Sequence, residues 1–81
     1  VDVRSANEFS QGSIDGAINI PVDELREKMH TLPKDNVVVF CQVGQRGHTA
    51  TVLLRENGIN AVNLDGGYLT WRTSNKELVR Q

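Results

Sequence analysis

Val37-Val38-Val39-Phe40-Cys41-Gln42-Val43-Gly44-Gln45-Arg46 is the stretch that decides the fold. Four apolar residues without alternation read as a strand covered on both faces, as in a parallel sheet. A short loop follows, and a helical pattern starts near Gly47, with Ala50, Leu53 and Leu54 on one face over roughly 47–57. The only cysteine therefore stands where a buried strand turns into a helix N-terminus. Unpaired N–H groups and the positive end of the helix dipole favour negative charge there. A thiol in that place is the most easily ionised and the most exposed to a substrate, and the thiolate is the nucleophile.

Outward from this stretch, the elements alternate. Val1-Asp2-Val3 reads as the end of a strand. Ser5 to Phe9 reads as one helical turn, with Ser5 as N-cap and Glu8 three residues on, a capping box. Gly12 and Gly16 bracket a turn-rich stretch, and Ala17 to Ile20 is a short strand stopped by Pro21. Val22, Leu25 and Met29 fall at helical spacing, predicting an amphipathic helix over 22–30, and Leu32 to Asn36 is a polar turn. Asn57-Gly58 is a C-cap signal. Ile59 to Leu64 is a further strand, broken by Asp65-Gly66-Gly67, and Tyr68 to Thr73 holds a last helix before a polar tail. Strands and helices alternating on short connections define an α/β domain with a mainly parallel sheet flanked by helices.

With 81 residues the chain is a single domain. A domain of this size buries roughly 60% of the surface its unfolded chain exposes, so its stability is modest. A net charge of -1 without a basic run argues against nucleic acid and acidic membranes as partners. One cysteine makes no internal disulfide, which points to a reducing, cytoplasmic setting. No apolar run approaches the ~20 residues of a membrane span. The chain opens without an initiator Met, already in a strand. That is expected of a domain whose N-terminal part has been cut away.

The chemistry gathers in the loop. Gly44 permits a positive φ, so that successive N–H groups can face inward as an anion cradle. Arg46 closes the loop, where a guanidinium favours a thiolate and receives an anionic donor. His48, one turn inside the helix, reads first as a surface residue. One Cys and two scattered His residues give neither a Cys-His-Asn protease nor metal-ligand spacing. Cysteine-dependent phosphatases carry five residues between Cys and Arg, whereas here only Gln42, Val43, Gly44 and Gln45 intervene. The smaller loop suits a terminal sulfur atom rather than a phosphoryl group.

These segments together resemble the rhodanese domain, a sulfurtransferase, over about residues 1 to 73 of a domain spanning 1–81, with 74–81 as tail. Asp2-Val3-Arg4 is similar to the family's first-strand Asp-Val-Arg. Glu8-Phe9 with Gly12-Ser13-Ile14-Asp15-Gly16-Ala17-Ile18-Asn19-Ile20-Pro21 is similar to its Gly-His-Ile-x-Gly-Ala-x-Asn-Ile-Pro segment. Cys41 to Arg46 fits Cys-x-x-Gly-x-Arg, and Gly66-Gly67-Tyr68-Leu69-Thr70-Trp71 fits Gly-Gly-x-x-x-Trp.

The resemblance implies that Cys41 accepts a sulfane sulfur as a persulfide. The N–H groups of Gln42, Val43, Gly44, Gln45, Arg46 and Gly47 would cradle that sulfur, and Arg46 would bind an anionic donor. It implies no cofactor, structural roles for Asp2 and Arg4, and a core or lid role for Trp71. The partners implied are a thiosulfate or carrier-persulfide donor and a thiol or cyanide acceptor. A binding or redox-sensing module without catalysis is the alternative. Two positions depart from the family. Ser13 stands where the family often has His, read as structural. Gln42 stands where many thiosulfate-using members have Arg, which turns the expectation towards a carrier-bound persulfide. This loop version is similar to rhodanese domains fused to flavin-dependent coenzyme A-disulfide or persulfide reductases, so a fused or partner flavoenzyme is expected.

Overall fold

The computed structural model describes residues 1–64, 66–74 and 79–80. In chain order the elements are α1 (Ala6–Ser10), β1 (Ser13–Ile14), a 3-10 turn (Val22–Glu24), α2 (Leu25–Lys28), a second 3-10 turn (Met29–Thr31), β2 (Val37–Val39), α3 (Gln45–Glu56), β3 (Ala61–Asn63), α4 (Gly67–Ser74) and β4 (Val79–Arg80). This is the α/β arrangement expected. β2 and β3 pair in parallel, Val37 opposite Ala61 and Val39 opposite Asn63. Asp2 extends this layer by parallel bridges to Phe40 on one side and Asn19 on the other. The bonds that do so run from Val3 N–H to the Phe40 carbonyl (2.9 Å), from Phe40 N–H to Val1 (2.9 Å) and from Asp2 N–H to Ile18 (2.8 Å). The strand-like stretches at 1–3 and 17–20 are thus single bridges rather than full strands. β1 and β4 form a separate antiparallel pair. The polar-tail reading of 74–81 falls largely outside the described residues, but Val79–Arg80 forms β4.

Local chemistry explains the helix ends. Ser5 accepts from the Glu8 N–H (3.2 Å) while Glu8 accepts from the Ser5 N–H (3.0 Å), a complete capping box on α1. After α3, the Ile59 N–H reaches back to the Leu54 carbonyl (3.0 Å), closing the helix as the chain turns at Gly58. The helix expected over 22–30 is present as a helical run of mixed type, with one α-helical turn between two 3-10 turns. The helical run is continuous over 22–31 but changes type at Glu24 and Lys28, whose φ/ψ of -102°/-5° and -107°/-4° lie at the edge of the helical region. So short an element is held by burial of Leu25 and partial burial of Val22 and Met29, not by a sustained backbone ladder.

The core is one cluster that includes Val3, Ile20, Leu25, Leu32, Val37, Val39, Cys41, Ala50 and Leu54. Leu25 and Leu54 have no exposed surface, and full burial of such a side chain stabilises by about 1.5–3 kcal/mol. β2 is not covered on both faces. Val37 and Val39 point into the core, whereas Val38 is 47% exposed beside its partner Val62 at 49%. An unbroken apolar run cannot record which side is covered, because both faces read alike.

Candidate active site

Cys41 leaves β2 at the bridge between Phe40 and Asp2. Its carbonyl accepts from the Tyr68 N–H at 2.7 Å, and the Gln42 carbonyl accepts from the Leu69 N–H at 3.1 Å. The start of α4 is therefore bonded to the base of the loop. This approach requires Gly67, whose φ is +66° and where a Cβ would meet the Cys41 and Gln42 carbonyl oxygens at 2.5 and 2.7 Å. The Gly-Gly signature thus fixes α4 against the loop rather than serving as a plain turn.

Within the loop the Gly44 N–H donates to Cys41 Sγ at 2.9 Å. Gly44 has φ +114° and ψ -18°, a left-handed geometry that turns its N–H back to the sulfur. α3 starts at Gln45, two residues before the sequence pattern placed it, and its first bond runs from the His48 N–H to the Gly44 carbonyl (2.9 Å). The sulfur thus lies beside a helix N-terminus as expected. It is not exposed, however: Cys41 retains 1% of its surface because the loop folds over it and its side chain joins the core.

Two arginines bound the loop, each already engaged. Arg46 donates from Nη1 to Glu8 Oε1 at 2.7 Å and from Nη2 to Oε2 at 3.1 Å. This hydrogen-bonded guanidinium holds the Glu8 carboxyl down at about 2. Arg46 is pushed up, first by its bonds to Glu8 and also by the charges of Cys41 and Asp2. Below the loop, Arg4 Nη1 donates to Gln42 Oε1 at 3.1 Å, so the Gln42 side chain is anchored to Arg4. Arg4 is buried in a pair with Asp2 (2.7 Å), donates to the Gly12 carbonyl (2.7 Å) and lies 4.3 Å over the Tyr68 ring. Ser13 donates to Asp2 Oδ2 at 2.9 Å, a structural contact at the departure from the family's His.

The remaining sequence candidates spread out. Val43 is 57% exposed at the loop tip. His48 is exposed and, with Val43, Gly44, Gln45, Asn63 and Gly66, lines a cavity of about 420 Å³ beside the loop. Gly47 is buried against Asn63. Trp71 is half-buried, and Tyr68 is the buried aromatic of α4. Sequence reasoning missed the parts played here by Glu8 and Asn63. Glu8 was legible only as a cap, and Asn63 carried no local signal.

The chain that carries this geometry, a buried cysteine whose sulfur accepts from the Gly44 N–H with Arg46 in the first turn of α3, has relatives. The sequence model of the Rhodanese-like domain matches residues 1–74. The chain belongs to the rhodanese-like family. It is similar to human thiosulfate:glutathione sulfurtransferase, 38% identical over 86% of this chain and 75% of that one. It is also similar to thiosulfate sulfurtransferase PspE of Escherichia coli, 36% identical over 83% and 67%. Among solved structures it superposes on reduced Bacillus anthracis CoADR-RHD with a TM-score of 0.91 and 41% identity, over 99% of this chain but 14% of that one. No helix among the described residues is long and apolar enough to cross a membrane.

Proposed function

We propose that this domain is a sulfurtransferase that carries sulfane sulfur as a Cys41 persulfide. The 2.9 Å bond from the Gly44 N–H to Cys41 Sγ is the observation that carries this reading. A donor such as thiosulfate is attacked at its outer sulfur by the Cys41 thiolate. The new S–S bond forms as the old one breaks, and sulfite leaves with the bonding pair. The added sulfur extends about 2.05 Å beyond Sγ, towards the N–H groups of residues 42 to 47, which would stabilise its charge. An acceptor thiol or cyanide then attacks the outer sulfur and regenerates the thiolate. Arg46 sets the electropositive rim for an anionic donor. Gln42, tied to Arg4, adds no positive charge at the rim, which favours a carrier-bound persulfide over thiosulfate. The likeness to CoADR-RHD supports a flavoenzyme reductase as fused or separate partner, and the free thiol supports the cytoplasm as its place of work.

Incubation with thiosulfate or glutathione persulfide should add one sulfur atom to the intact mass, removable by cyanide. No adduct from either donor overturns the reading. The burial of Cys41 favours a second reading, a binding or redox-sensing module. That reading requires no sulfur loading and slow alkylation of the thiol.

A further inference from the structure

We propose that Asn63 is the positioning residue that aims the Gly44 N–H at Cys41. The proposal rests on the sulfurtransferase reading of Cys41 and adds a residue to it. Asn63 ends β3, in register with Val39, two residues before Cys41 on the neighbouring strand. Its Nδ2 donates to the Gly44 carbonyl at 3.1 Å. Gly44 thus gives its N–H to the sulfur and its carbonyl to Asn63, and both of its backbone polar groups are committed at once. The same carbonyl also accepts the first helical bond of α3, from His48.

The other end of the amide is equally placed. Asn63 Oδ1 is buried without a hydrogen-bond partner, an arrangement that costs free energy. It faces Gly47, where an added Cβ would collide with that oxygen. One side chain therefore holds the last loop residue through Nδ2 and packs against the first turn of α3 through Oδ1. Turning the amide over would set its oxygen against the Gly44 carbonyl, so the orientation is fixed by the Gly44 bond, and the orphaned oxygen is its consequence. Gly44 adopts a left-handed conformation, and a Cβ added there would meet no atom within 4 Å, so the position is held through its backbone bonds. Beside the local helical bond from His48, the Asn63 amide is the contact that ties the Gly44 carbonyl to the neighbouring strand.

The test compares Cys41 alkylation by iodoacetamide across pH in the parent and in Asn63→Leu. Leucine keeps the branching at Cγ, though it is larger, and removes the donor, while Arg46, Glu8, Arg4 and Asp2 are left in place. The profile should move to higher pH, and the rate at neutral pH should fall roughly tenfold, the scale of weakening one bond to a charged acceptor. An unchanged profile in a folded variant overturns the proposal. If Asn63→Leu does not fold, Gly47→Ala and the pair Gly47→Ala/Asn63→Ala decide. The pair should recover the melting temperature lost in Gly47→Ala but not its alkylation rate. Recovery of both would make Asn63 a packing residue only and overturn the proposal. Alkylation requires no sulfur transfer, so a parent that fails to load sulfur refutes the sulfurtransferase reading and leaves this test standing.

Discussion

Arg46 is held by both carboxylate oxygens of Glu8, at 2.7 and 3.1 Å, across 38 residues of sequence. The guanidinium beside the Cys41 loop is therefore already oriented by the protein itself. Glu8 is itself fixed, because it also closes the capping box of α1. On the proposed function, an anionic donor would meet a cation whose charge is partly balanced.

Removing the balance should be visible in kinetics. Glu8→Gln frees Arg46 from a carboxylate and is expected to lower the KM for thiosulfate a few-fold. Arg46→Ala should raise it by roughly tenfold or more, with a smaller effect on glutathione persulfide, whose charge is spread over a larger molecule. Equal effects of Arg46→Ala on both donors would remove Arg46 from anion binding.

The same pair has a pH signature. Glu8 sits at about 2 in the folded chain against an ordinary value of 4.5. The depressed carboxyl contributes stability that is fully present above 4.5 and is lost as pH falls towards 2. The pair is a third or more exposed, so solvent screening limits its contribution to no more than about 1 kcal/mol. Melting of the parent and of Glu8→Gln should differ at neutral pH and converge as acid is added; a constant gap from neutral pH to pH ~2 contradicts the linkage.

Asp2 and Arg4 are a different case, because neither is exposed beyond 3%. Asp2→Ala leaves Arg4 buried without its counter-charge and should cost on the order of 3–5 kcal/mol. Chemical denaturation measures this directly, and a loss below about 1 kcal/mol would show that the guanidinium finds other partners.

Gln42→Arg is expected to shift the donor preference towards thiosulfate. An arginine at this position cannot accept from Arg4 Nη1 as Gln42 Oε1 does, and like charge turns it outwards to the rim. The ratio of kcat/KM for thiosulfate to that for glutathione persulfide should rise several-fold. An unchanged ratio would show that residue 42 does not select the donor.

Cys41→Ser should lose all sulfur loading while keeping the fold. Serine has nearly the same shape, and its hydroxyl can accept from the Gly44 N–H in place of sulfur. Intact mass and circular dichroism check both parts. Any persulfide adduct on the serine variant would place the reactive group elsewhere.

Several of these relationships could be read in advance, and several could not. The capping box at Ser5 and Glu8 was legible because both partners lie within one helical turn. The helix over 22–30 was legible as an amphipathic segment, but its changes between 3-10 and α geometry at Glu24 and Lys28 were not, since three apolar anchors set a face without fixing how the backbone follows it. Glu8 carried a complete local explanation, which hid its bond to Arg46.

The sequence alone determined that Cys41 follows a strand and precedes a helix, with a glycine and an arginine at the spacing of a small anion-cradling loop. These features rest on neighbours a few residues apart, where backbone geometry and residue type suffice. The tertiary structure decided the rest. It buried the sulfur, left Val38 and Val62 on an outer face, turned Gln42 to Arg4, and brought Asn63 against Gly44 across 19 residues. Such contacts depend on which strands lie side by side and in what register. In a parallel sheet that is set by the packing of the whole chain, because residues adjacent in space are separated in sequence by an entire crossover.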